Sequence, residues 1–186
     1  NSEDSDLLGR LAERGALVIL PENLGRYRVH TASISSSIVN GRIMAIGSQL
    51  GALSALRRRV GKRDLAFPRE LHSALKAAVQ LQPMFEIAAQ GLQDDESQHL
   101  AIATAAKLME LARYRPYEPD AADCRFIRAA LPFARKLTSQ NRKELEWYVT
   151  ATAARLVGKG MIVEAFALTP PKSYPFAIAR LLLARH

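Results

Sequence analysis

The spacing of hydrophobic and polar positions changes period along the chain, and each change marks a different expected element. Behind Ser5, an N-cap residue type, Leu7, Leu8 and Leu11 fall at helical spacing and Gly15 ends the pattern, which predicts a short first helix. Strand chemistry follows. Leu17–Leu20 is an apolar run closed by Pro21, and after the turn Glu22-Asn23-Leu24-Gly25 the segment Arg26–Thr31 alternates polar and apolar residues, so the two predict a hairpin. A second hairpin is predicted from Ser37–Val39 and Arg42–Ile46 around Asn40-Gly41, a dipeptide that tolerates the positive φ of a type I′ turn.

From Ser48 the period is helical, with Leu50, Leu53, Leu56 and Val60 on one face. Pro68 and Pro83 stand where a first helical turn accepts proline and open segments carrying Leu71, Leu75 and Val79, then Phe85 and Ile87. Asp94, Asp95 and Glu96 complement the dipole at the start of a helix with Leu100, Ala103, Leu108 and Leu111. The stretch 113–119 is a loop, and 120–137 is a helical pattern divided by Pro132. Ser139 caps a further helix through Leu145, Val149, Thr152 and Leu156 to Gly158. Met161–Leu168 is almost continuously apolar and reads as a buried strand with Glu164 its only charge, before a last helix over 176–184. These elements predict an α+β fold: a small mixed sheet from the N-terminal third plus the late strand 161–168, packed with a predominantly helical middle and C-terminal part. The whole of 1–186 reads as one compact domain, any subdivision separating a strand-rich 1–64 from a mainly helical 65–186.

Composition changes this picture little and charge changes it more. With 48% hydrophobic and 24% charged residues over 186 positions, the chain is no disordered polymer and can bury a core without disulfides or structural metal. A lone cysteine, Cys124, excludes an intramolecular disulfide or a zinc cage and suits a reducing compartment. No apolar run nears the roughly 20 residues of a membrane span, and the polar, acidic first residues lack the features of a signal peptide. A cytoplasmic protein is expected. The four histidines, at 30, 72, 99 and 186, have no ligand spacing, so no metal site is expected.

The 26 Lys and Arg against 18 Asp and Glu leave a formal charge of +8, which favours a polyanionic partner. Five of these cations fall in one stretch, Arg57-Arg58-Arg59-Val60-Gly61-Lys62-Arg63, where phosphate is the natural ligand and helix-dipole complementation the plainer explanation. Arg26, Arg28 and His30 would share one face of the alternating strand. Gly47-Ser48, read as a strand-to-helix junction, is a candidate phosphate cradle or simply a tight turn, for no Walker lysine or dinucleotide fingerprint accompanies it. Glu164 would be a structural pair, an edge residue or a catalytic acid. Tyr114, Tyr117, Trp147 and Tyr148 suit base stacking as well as packing.

One stretch has a family likeness. Leu11-Ala12-Glu13-Arg14-Gly15, the run Leu17–Leu20 and Gly25-Arg26-Tyr27-Arg28-Val29 together resemble the start of the ParB/sulfiredoxin-like domain over about the first 30 residues. The G-x-x-R box of that family has no counterpart arginine at Thr31-Ala32-Ser33-Ile34 or at Gly47-Ser48-Gln49-Leu50. The resemblance implies a small α/β core linked to nucleotides or DNA, as in plasmid proteins of the fertility-inhibition kind. The expected function is therefore action on DNA or other nucleic acid, in plasmid transfer or maintenance. If the protein is catalytic, nucleotide or DNA hydrolysis would be the reaction, with ATP and Mg as cofactors; no catalytic residue can be named. The alternative is an interaction module that docks an acidic protein partner through its basic face and helical half.

Overall fold

The structure, a computed structural model, describes residues 3–26 and 33–169. Its α-helices are, in order, α1 (Glu3–Ala12), α2 (Ile38–Arg59), α3 (Arg69–Ala78), α4 (Leu81–Ala88), α5 (Asp94–Tyr114), α6 (Ala121–Ala130), α7 (Ser139–Gly158) and α8 (Ile162–Leu168). A 3-10 helix over Leu131–Lys136 extends α6, because Pro132 cannot donate to the α-helical ladder.

The longest helix, α2, runs through the second predicted hairpin, the Gly47-Ser48 junction and the predicted helix beyond it without a break. Ile43, Ile46, Leu50 and Leu53 recur every three to four residues and are all buried, which sets a helical period across the Asn40-Gly41 turn signal. Gly41 has a different task from the one its sequence context indicates. A Cβ there would collide with the hydroxyl of Tyr117 and come within 2.6 Å of its ring Cζ, so glycine lets the segment after α5 close against α2. Glu96 at the start of α5 bonds Arg57 at the end of α2, and Tyr117 beyond α5 covers Gly41, so the two helices are antiparallel. The core joins Ile46, Met84, Leu108, Ile127, Leu156 and Leu168, one fully buried side chain from each of α2, α4, α5, α6, α7 and α8.

A buried ionic network fixes α6 against α2. Arg42 is only 3% exposed, and all three of its guanidinium nitrogens donate. Nε and Nη2 donate to the two oxygens of Asp123 at 2.9 and 2.8 Å, Nη2 also reaches Asp120 at 2.5 Å, and Nη1 donates to the Val79 carbonyl at 2.9 Å. Asp120 caps α6 by accepting from the Ala122 and Asp123 amides, while Asp123 accepts from the Asp120 amide. Burial pushes the Asp123 carboxyl up against the pull of Arg42. Burial also works against the charge on Asp120, but the Asp123 amide and Arg42 outweigh it and hold that carboxyl low. Val79 presents its carbonyl from a tight turn between α3 and α4, with φ of 57° and its neighbour Gln80 donating to Ala78 at 2.5 Å.

Three sequence expectations are corrected. Among the described residues there is no strand, so the α+β fold with a mixed sheet gives way to a helical one. Leu17–Leu20 has no regular structure and lies open, Ile19 at 93% exposure, because an isolated run of this length has no partner strand among the described residues. Met161–Leu168 is helix α8 rather than a late strand: Ala165 and Leu168, three apart, are buried beside α6 and α7, whereas Val163 and Phe166 are exposed. The expected strand over 27–31 and the last helix over 176–184 lie outside the described residues.

Candidate nucleic-acid interface

The five-cation stretch forms the last turn of α2 and the loop after it, and its geometry follows from one glycine. Gly61 takes φ of 71°, which lets its own N–H bond the Arg58 carbonyl at 3.0 Å and the Lys62 N–H bond the Arg57 carbonyl at 2.9 Å. This is a Schellman closure, and it folds Lys62 and Arg63 back beside the helix end. Arg57 Nε then donates to the Arg63 carbonyl at 2.8 Å and holds the loop in place.

The cations divide by what faces them. Arg57 and Lys62 share Glu96, at 2.7 and 3.1 Å, so the start of α5 is tied to the end of α2. Arg58 is held by Glu13, beyond α1, at 2.7 Å and by Asp64 at 3.0 Å. Asp64 in turn accepts from the Ser54 hydroxyl, the largest influence holding its carboxyl low. Burial opposes ionisation of Glu96, yet Lys62, the Gln93 amide and Arg57 outweigh it and keep this carboxyl below the ordinary range. Arg59 and Arg63 are exposed and have no ion pair among the described residues. Three of the five charges are therefore partly answered within the protein, and two face solvent.

The remaining sequence candidates are not gathered here. Arg26 is exposed in an irregular segment, and Arg28 and His30 lie outside the described residues. Gly47 and Ser48 sit in the interior of α2, where backbone amides serve the helix, and the Ser48 hydroxyl turns back to the Ala45 carbonyl at 3.1 Å. The strand-glycine-helix junction that made them a phosphate cradle is thus absent. Glu164 occupies the first turn of α8, where a carboxylate complements the helix dipole. Cys124 is buried with its thiol pushed up to about 12 by burial, the state of an inert core residue.

The aromatic candidates separate as well. Tyr117 is buried on Gly41. Tyr114 is exposed beneath the Arg115 guanidinium at 5.5 Å, and Trp147 lies under Arg113 at 4.6 Å and edge-on to Tyr148. A basic group that the sequence reading passed over is the exposed face of α6, which carries Arg125 and Arg128. Their spacing, with Phe126 and Ile127 turned inward, was a readable helical pattern. Among the described residues no group of three or more His, Cys, Asp and Glu side chains is placed to hold a metal ion. No described helix is long and apolar enough to cross a membrane. Comparison of the chain with protein-family models, with curated proteins and with solved structures gives no match.

Proposed function

We propose that the protein binds the phosphate backbone of nucleic acid at the end of α2, with Arg59 and Arg63 in direct contact and Lys62 joining them. The observation that carries this reading is the pair of exposed arginines outside any ion pair among the described residues, Arg59 at the last position of α2 and Arg63 in the loop that their ion-paired neighbours hold in shape. A guanidinium forks onto two phosphate oxygens, and each phosphate neutralised releases condensed counterions, so affinity comes without base reading. Lys62, whose side chain is 47% exposed, can lean from Glu96 towards a phosphate at little cost. Arg57 and Arg58 act chiefly as positioning residues for the loop.

The test is fluorescence anisotropy of labelled duplex and single-stranded DNA across a salt series, comparing the wild type with R59A/R63A. The double variant is expected to bind at least about tenfold more weakly near 0.1 M salt and to lower the slope of log K against log salt by about two. Unchanged affinity and slope would overturn the reading. Repeating the titration with Mg and ATP, then running the DNA on a gel, tests for cleavage or nucleotide dependence in the same samples.

One observation favours a second reading, an acidic protein partner. Leu17–Leu20 is open to solvent in the N-terminal segment that Glu13 ties to Arg58, and such a run would serve as the apolar anchor of a protein contact. A chain that binds a polyglutamate peptide but no DNA would favour it.

A further inference from the structure

We propose that α6 and the 3-10 helix after it carry a second row of phosphate contacts, Arg125, Arg128 and Arg135, which adds a basic surface for a nucleic-acid backbone to the one at the end of α2. This rests on the phosphate-binding reading above but on a different set of residues. The three arginines are all exposed and have no ion pair among the described residues. The other exposed positions of the same face, Ala129 and Pro132, carry no charge, so no carboxylate interrupts the row.

The fold explains why these side chains point outward together. Asp123 is locked inward by Arg42, and Arg125, two residues later, is about 200° further round the helix. Phe126 packs edge-on to Phe85 with ring centroids 5.3 Å apart, and Ile127 is fully buried, which leaves Arg128 on the open side. The row therefore sits on a helix held at its start by a buried ionic network and at its middle by the core. Such rigidity limits the ordering cost of binding. From Arg125 to Arg135 the rise is roughly 17 Å, enough to follow about five phosphate steps along one strand.

The row meets the end of α2 across the acidic start of α5. Lys136, next to Arg135, pairs with Asp95, and the adjacent Glu96 holds Arg57 and Lys62. Asp95 and Glu96 thus sit between the two cation groups as their common anchor. Helix-dipole complementation accounts for Arg128 in the last turn of α6 and for Arg135 in the last turn of the 3-10 helix, but not for Arg125, a turn earlier in α6. The exposed positions at the start of α7 carry both signs, Arg142 and Lys143 being followed by Glu144 and Glu146. The unbroken sign of the α6 face is what fits a polyanion rather than an ordinary solvated surface.

The experiment is the same anisotropy series on R125A/R128A/R135A and on the charge-preserving R125K/R128K/R135K, with thermal melts showing that both fold. For the alanine variant the expected result is an affinity loss of about tenfold or more near 0.1 M salt and a salt slope lowered by two to three, with the lysine variant close to wild type in slope. If the alanine variant keeps wild-type affinity and slope while R59A/R63A loses both, the row is no phosphate site and the earlier reading stands. If it keeps DNA binding but loses binding to polyglutamate, the row is a protein surface and this inference is overturned. If the wild type shows no salt-dependent DNA binding, both readings fall together.

Discussion

Replacing Gly41 with alanine should destabilise the protein even though alanine is the better helix former by about 1 kcal/mol. The added Cβ would press on the buried Tyr117 ring, and overpacking of this kind typically costs about 1–3 kcal/mol, so Tm should fall. Y117A should remove the clash, so the two substitutions should couple in a double-mutant cycle; a G41A variant as stable as the wild type would contradict the assignment. The Arg42 network gives a larger effect. Asp123→Leu would leave a nearly buried guanidinium with one carboxylate instead of two, at a cost of about 3–5 kcal/mol read from denaturant unfolding. Neither contact was legible in the sequence. Asn40-Gly41 carries a genuine turn signal, and Arg42 reads as a polar strand position until Asp123, 81 residues away, is seen to meet it.

At the scale of elements, Glu96 links stability to binding. Its depressed pKa means that the unfolded chain takes up the proton more readily than the folded one. Its stabilising contribution is therefore full above the ordinary carboxylate range and is lost as pH falls through the lower folded value. E96Q should lower Tm at neutral pH, and its Tm should fall less than that of the wild type between about pH 6 and about pH 3. The same substitution removes a carboxylate charge and frees Lys62 for phosphate, while Arg57 keeps its bond to the Arg63 carbonyl, so E96Q should bind DNA several-fold more tightly, despite being the less stable protein. A variant that binds no better would place Lys62 outside the contact.

The elements also show where hydrophobic pattern decides and where it does not. The helices from Pro68 to Gly158 follow their apolar spacing, and Pro132 ends α6 in a 3-10 turn, but the caps are less legible: Thr138 rather than Ser139 caps α7, and the Asp120 and Asp123 cap of α6 was not read from the sequence. Short apolar runs were the failure, since a nearly continuous apolar stretch such as Met161–Leu168 fits a buried strand and a packed helix equally well. For Met161–Leu168 the choice falls to its neighbours, α6 and α7, which offer a helix-shaped groove for Ala165 and Leu168 and no strand edge. Far-UV circular dichroism should show the double minimum of a helical protein, and the infrared amide I band should lack a β component; a strong β component would restore a sheet.

Over the whole molecule, net charge was readable from the start while its distribution was not. The count of +8 treats all cations alike, but folding pairs Arg42, Arg57, Arg58 and Lys62 with carboxylates from distant parts of the chain and leaves Arg59, Arg63, Arg125, Arg128 and Arg135 without ion pairs among the described residues. A cation counts toward binding by what faces it in the fold, so the densest run in the sequence supplies fewer contacts than its five charges imply. In the proposed contact with nucleic acid, the α6 row, spread over eleven positions, supplies the rest.

The measurement that meets this account most directly is the salt dependence of wild-type binding to duplexes of unrelated sequence. Saturable binding with similar affinity for each sequence is expected, with log K falling linearly against log salt at a slope near −5, as about five to six neutralised phosphates require. Binding that is absent near physiological salt, or that is insensitive to salt, would contradict a phosphate-reading surface at this end of the helical fold.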